Sequence, residues 1–216
     1  MAQIMCVMGE SGAGKTTSME KLDPKSTMYI DCDKKGLSWK NWRKSYSGDK
    51  KNYLVTDEPS IALMTLRKVN EDEAFKHIKT IVVDTINGLM IADEMRRAKE
   101  KGYDKWQDLA QSIYDLIDYA LTMRDDLTVI FVAHTQTDHD DNGFMFTRIK
   151  TSGRKLDKIT LESKFSTVLL AKVVDGEYLF ETHAKNSTAK TPKGAFDSDT
   201  IPNDITTVIE ALKDYR

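Results

Sequence analysis

The sequence predicts an α/β fold, a mostly parallel sheet flanked by helices with an antiparallel hairpin near the C-terminal end. Three observations carry the prediction. Short apolar runs rich in branched residues recur along the chain, and segments of helical periodicity separate them. The first of these runs leads directly into a glycine-rich loop. The last two flank Asp175-Gly176, a tight-turn signal that joins antiparallel strands. No repeat, low-complexity tract or Pro/Gly/Ser linker divides the 216 residues, so residues 1–216 are read as a single domain.

The elements follow in order. Residues 3–8 form a strand: every position after Gln3 is apolar, as in strands covered on both faces. Residues 15–22 predict a helix behind the glycine loop. Residues 27–32 and 80–84 are buried strands that end among acids, and residues 60–77 predict the helix between them. In residues 106–124, Leu109, Ile113, Leu116, Ile117, Ala120 and Leu121 recur at helical spacing. Residues 128–133 form another apolar strand, 167–174 and 178–182 the closing hairpin, and 204–215 the last helix.

Composition excludes several classes. With 40% hydrophobic and 31% charged residues the chain has the makings of a folded domain, not a disordered one. Lys plus Arg is 32 and Asp plus Glu is 34, for a net charge of -2, which excludes a globally basic nucleic-acid coat but leaves room for local basic surfaces. No apolar run approaches the ~18 residues of a membrane span, and no leader pattern opens the chain, so no membrane partner is expected and a cytoplasmic location is. Cys6 and Cys32 fall in predicted strands with no second pair to make a metal site, and read as reduced core thiols.

Gly9-Glu10-Ser11-Gly12-Ala13-Gly14-Lys15-Thr16 fits the pattern G-x-x-x-x-G-K-[ST] at every fixed position. Glycines let successive backbone N–H groups turn toward a phosphate chain, and the helix behind the loop points its positive end at the same anion. Thr17 continues that turn. Lys15 is expected to reach the β- and γ-phosphates and Thr16 to ligate Mg²⁺, so ATP and Mg²⁺ are the expected cofactors. Asp84 ends the strand Ile81-Val82-Val83 and is placed to hold the metal. Hydrolysis needs a carboxylate to orient water, and Asp31 and Asp33 at the end of Tyr29–Asp33 are both candidates. His134, ending Val129–Ala133, is placed to touch the γ-phosphate.

These pieces together resemble the RecA-like P-loop ATPase core, through GESGAGKTT at 9–17, YIDCD at 29–33, IVVDT at 81–85, VIFVAHT at 129–135 and AKNSTAKTPK at 184–193. More closely the chain is similar to the short phage-encoded RecA-like proteins of the Sak group, through residues 149–156 and 185–193. The resemblance implies an ATP-hydrolysing protein that binds single-stranded DNA and serves recombination, annealing or repair. It places Asp33 at the catalytic carboxylate, one methylene shorter than the family's glutamate, with Asp31 as a substitute. It places His134 at the γ-phosphate sensor, where many relatives have glutamine. Lys185 falls where the family sends a lysine across a subunit interface toward the neighbour's γ-phosphate. Ser187 replaces a second lysine there, with Lys190 and Lys193 close by. Such shared sites imply self-assembly into a filament or ring, with a single-strand-binding protein as a further candidate partner.

Single strands need cations for phosphates and flat side chains for stacking. Residues 95–106 carry Arg96, Arg97, Lys99, Lys101 and Lys105 against Glu100 and Asp104, with Tyr103 and Trp106. Residues 148–158 carry Arg148, Lys150, Arg154, Lys155 and Lys158 against Asp157. Residues 34–51 carry seven cations against Asp49, interleaved with Trp39, Trp42 and Tyr46. Trp39 and Trp42 serve equally well to cover a core edge. In the resemblance, the first segment takes the place of one DNA-binding loop, and a second loop is expected at about 136–148. There Phe144 and Phe146 are candidates for stacking, followed by Arg148 and Lys150, although Asp138, Asp140 and Asp141 disfavour phosphate contact. A solvated loop fits that Asp/His run better than a metal site. Two alternatives are a small-molecule kinase, with Arg148 and Arg154 imitating its lid, and a non-hydrolysing nucleotide switch. No Asn-Lys-x-Asp signature points to a guanine nucleotide.

Overall fold

In a computed structural model, residues 1–102, 104–152 and 160–215 are described. The strands are β1 (Gln3–Gly9), β2 (Thr27–Asp31), β3 (Tyr53–Val55), β4 (Thr80–Asp84), β5 (Thr128–His139), β6 (Met145–Ile149), β7 (Thr167–Val174), β8 (Glu177–Glu181) and β9 (Thr200–Pro202). The α-helices are α1 (Pro59–Glu71), α2 (Ile86–Arg96), α3 (Asp104–Thr122) and α4 (Ile205–Ala211). The sheet runs β3-β2-β4-β5-β1-β7-β8-β9, with β6 paired to β5 outside this path. From β3 to β7 every pairing is parallel; β7-β8, β8-β9 and β5-β6 are antiparallel. The predicted architecture is therefore observed.

The apolar strands are covered on both faces. On β1, Ile4, Cys6 and Met8 join Leu66 of α1, Leu89 of α2 and Ile113 of α3 in one core. Met5 and Val7 point the other way, into a second core with Met19, Leu22, Tyr46 and Val208 of α4. The stripe predicted on α3 is buried at Leu109, Ile113, Leu116, Ile117 and Ala120. Each large apolar side chain removed from water contributes about 1.5–3 kcal/mol. Among the described residues, no helix is long and apolar enough to cross a membrane.

Several elements differ from expectation. The predicted helix at 15–22 is one tight turn: Ser18 N–H donates to Gly14 C=O at 2.9 Å, and only Thr17–Met19 is a 3₁₀-helix. Asp23-Pro24 lies just beyond the predicted end, and proline cannot prolong a helix. α1 stops at Glu71 because Asp72 is extended and turns its carboxylate to cap a new 3₁₀ turn at Ala74 N, 2.9 Å away. α4 ends at Ala211, short of the predicted 215. Elements α2, β3, β6 and β9 are additions to the predicted set. The expected loop at 136–148 is a β-hairpin, in which β5 runs on to His139 against β6.

Candidate nucleotide site

The phosphate loop leaves β1 at Gly9, which lies against β7 so closely that a Cβ there would stand 2.6 Å from the Ala171 carbonyl oxygen. Gly12 and Gly14 take φ of +82° and +88°, a region open to glycine and costly for other residues. Lys15 is buried, and its ammonium donates to the carbonyls of Gly9 at 2.8 Å and Glu10 at 2.7 Å. Burial lowers its pKa, opposed by the charge of Asp84.

Asp84 ends β4 beside the loop. Its Oδ2 accepts from Thr16 Oγ1 at 2.7 Å and from the Tyr29 hydroxyl at 2.6 Å. Its Oδ1 is buried and has no hydrogen-bond partner among the described residues; the Lys35 ammonium lies 3.9 Å off. Burial raises the Asp84 pKa, while Lys35, Tyr29 and Thr16 favour the carboxylate. An orphaned carboxylate oxygen beside a threonine hydroxyl suits a hard divalent cation that keeps part of its water shell, as Mg²⁺ does. Thr16 and Asp84 therefore fit the predicted metal role.

The two acids of β2 have different surroundings. Asp31 is buried, and its Oδ2 accepts from Gly36 N–H at 2.8 Å and Tyr53 OH at 2.7 Å, so it pins the turn after the strand. Asp33 accepts from Thr85 Oγ1 at 2.9 Å and from Lys35 at 2.6 Å, and it lines an open cavity of about 320 Å³. His134, Asn87 and Gly88 line the same cavity. Gly88 packs against Asp33: a Cβ there would lie 2.4 Å from Asp33 Oδ1.

His134 is held at this cavity by its backbone. Its backbone N–H donates to Asn87 Oδ1 at 2.7 Å, and its carbonyl accepts from Lys150 N–H at 2.8 Å. Asn87 also donates to the Lys150 carbonyl at 2.8 Å, closing a clamp between α2, β5 and the end of β6. Burial, then the charge of Lys15, lowers the imidazole pKa, so the ring is neutral at neutral pH. Next to it, Thr135 Oγ1 donates to Glu10 Oε1 at 2.8 Å, a direct tie from β5 to the phosphate loop.

Sequence reasoning missed Tyr29, Lys35, Thr85, Asn87 and Thr135. Their identities carry no motif; only the chain's path brings them to Asp33, Asp84 and His134. Lys185, by contrast, is well exposed and paired with Asp199 at 3.0 Å, away from the loop's own hydrogen bonds. Ser187 donates to Glu181 Oε1 at 2.6 Å, where Lys172 also pairs at 2.6 Å.

The predicted nucleic-acid residues fall into two groups. Arg96 pairs with Asp57 at 3.0 Å, and Arg97 with Glu100 at 2.7 Å and Asp108 at 3.0 Å. Lys99 and Lys101 are exposed. On the hairpin, Phe144 is 72% exposed at a tip that Asp140 organises by accepting from the N–H groups of Asn142 and Phe144. Phe146 is half-buried, Arg148 is buried and paired with Asp138 at 3.4 Å, and the Lys150 side chain is exposed. Arg148 is thus poorly placed to serve as a kinase-like lid.

In the segment 34–51 the aromatic rings cover the core edge. Trp42 packs tilted against Tyr53 with ring centroids 4.9 Å apart, Trp39 lies 6.4 Å from Tyr29, and Arg43 sits over Trp42 at 4.5 Å. Tyr103 and residues 153–159, with Arg154, Lys155, Leu156, Asp157 and Lys158, lie outside the described residues.

A family model described as an AAA domain matches residues 1–193 of the chain. A comparison with curated proteins found no match.

Proposed function

This chain belongs to the AAA-domain family, a family of nucleotide-binding, ATPase-type domains, and on that premise we propose that it is a Mg²⁺-dependent ATPase that binds single-stranded DNA. It acts as an oligomer in phage recombination, annealing or repair, in the host cytoplasm. The observation that carries the ATPase reading is the pairing of Thr16 with Asp84, whose other oxygen has no partner among the described residues, with Lys35 linking Asp84 to Asp33 at an open cavity.

In this reading the N–H groups of residues 9–17 cradle the phosphates, and Lys15 exchanges its two carbonyl partners for phosphate oxygens. Thr16 and Asp84 would hold Mg²⁺, which would supply charge neutralisation at the phosphates. Asp33 orients the attacking water, and its short side chain predicts slow turnover. Neutral His134 offers a ring hydrogen bond to the terminal phosphate, and its clamp through Asn87 and Lys150 passes that contact to the β5-β6 hairpin. Because Asp84 and Asp33 lie on the β5 side of β1, the nucleoside end leaves toward β7 and β8. Tyr178, half-exposed, lies there against Gly14, with Asn203 beside it.

The DNA reading rests on the resemblance to the Sak group, supported by the exposed Phe144, Lys99, Lys101 and Lys150. The oligomer reading rests on the same resemblance and on the exposure of Lys185. Equilibrium binding of a fluorescent ATP analogue tests the base of the proposal. Wild type binds it, and Lys15→Ala loses binding while keeping its fold; retained binding in Lys15→Ala would remove the phosphate-loop assignment.

A further inference from the structure

The turn after β2 carries a lysine into the acid pair, and its backbone is built to hold it there. Lys34 has φ of +57° and Gly36 φ of +77°, so the chain reverses sharply around Lys35. Gly36 is tied to Asp31 through its N–H at 2.8 Å. The Trp42 ring lies over Gly36, where a Cβ would come within 2.9 Å of it. Lys34 points elsewhere, to Asp57 at 2.7 Å. The Lys35 ammonium is left 2.6 Å from Asp33 Oδ2 and 3.9 Å from Asp84 Oδ1.

That position cannot be kept when the site fills. Asp84 Oδ1 is buried without a hydrogen-bond partner among the described residues, and it is the atom suited to the metal's water shell. A monovalent and a divalent cation repel strongly at such separations. Asp33, for its part, has to release a cation before it can accept a proton from water. Lysine is suited to the exchange: it is a point charge on a flexible four-carbon stem, and this one is 46% exposed. Filling the site brings a new anion toward the acid pair, the terminal phosphate, which Lys15 is expected to reach together with the β-phosphate.

We propose that Lys35 is a second phosphate-binding lysine, parked between Asp33 and Asp84 in the empty site and transferred to the terminal phosphate of a bound nucleoside triphosphate. The inference rests on the ATPase reading and adds a residue to it. Lys35 thereby distinguishes triphosphate from diphosphate, and its departure frees Asp33.

Titrations of fluorescent ATP and ADP analogues, in EDTA and in Mg²⁺, test this with wild type, Lys35→Met and Lys35→Arg. Thermal melting establishes that each variant is folded, and ADP binding serves as the internal control. Lys35→Met is expected to lose at least tenfold in triphosphate affinity in both conditions while its diphosphate affinity stays within twofold of wild type. Lys35→Arg recovers most of the triphosphate affinity. Unchanged triphosphate binding in Lys35→Met, or equal loss for both nucleotides, overturns the proposal. A wild type that binds neither nucleotide overturns the ATPase reading itself, and this inference with it.

Discussion

Replacing Tyr29 by phenylalanine removes a single hydroxyl from the centre of the site. Tyr29 is fully buried in β2, and its OH donates to Asp84 Oδ2 at 2.6 Å. The acceptor is a carboxylate whose other oxygen has no hydrogen-bond partner among the described residues. A buried hydrogen bond to a charged group is worth about 1.5–3 kcal/mol. Tyr29→Phe leaves the ring and its packing in place, so this is most of the loss. For a chain of this size each kcal/mol moves Tm by about 2–4 °C, so a loss near ~2 kcal/mol lowers Tm by about 4–8 °C. The penalty is pH-dependent. Burial raises the Asp84 pKa and the Tyr29 bond opposes that rise. Loss of the donor raises the pKa further, and a raised carboxylate pKa means stability lost as pH increases. The gap between wild type and variant is therefore widest at neutral pH and narrows on acidification as Asp84 protonates. Thermal unfolding followed by circular dichroism across that range is the assay. Equal melting temperatures at neutral pH, within about 1 °C, would refute the bond and the charged state assigned to Asp84.

Other perturbations reach the same site from different sides. Gly88→Ala places a Cβ 2.4 Å from Asp33 Oδ1 and 2.7 Å from the Cys32 carbonyl oxygen. Overpacking of this kind costs about 1–3 kcal/mol, more than the ~1 kcal/mol that alanine gains over glycine in a helix; melting and turnover should both fall, and an unchanged variant would contradict the packing. His134 has its pKa held below the ordinary 6.5 by burial and by Lys15. The unfolded chain therefore takes up a proton that the folded one refuses as pH falls through about 6.5, and stability declines there; His134→Gln should melt with a shallower pH dependence between pH 7.5 and 5.5, and an equal slope would count against it. Lys185→Ala should hydrolyse poorly while its isolated subunits still bind nucleotide, and mixing it with Asp33→Ala should restore some activity if sites are shared between subunits. Mixtures as inactive as their components would argue against catalysis in trans.

The phosphate loop was legible because phosphate binding demands fixed residues at fixed spacing. Asp84 was legible because a buried apolar strand ending in an acid is visible in one dimension. The choice between Asp31 and Asp33 was not, since it depends on the reversal at Lys34 and Gly36 that turns one acid into the wall and the other into the cavity. α2 escaped notice because its apolar residues do not fall on one face: Leu89 and Met90 are buried, while Ile91 and Met95 are exposed. The β5-β6 hairpin read as a loop because Asp138, Asp140 and Asp141 look solvated in sequence, yet Asp140 is what folds its tip. The helix at 15–22 was overextended, since only Thr17–Met19 is regular, a single 3₁₀ turn. Tyr29 and Asn87 act through partners 55 and 47 residues away, a separation no local pattern encodes.

The proposed activity is tested most directly by the steady-state rate of ATP hydrolysis with and without single-stranded DNA, over a range of salt, for wild type and Lys15→Ala. Wild type is expected to show a slow Mg²⁺-dependent turnover that single-stranded DNA accelerates, with the acceleration fading as salt rises. Wild-type turnover no higher than that of Lys15→Ala, whatever the DNA and salt, would contradict it.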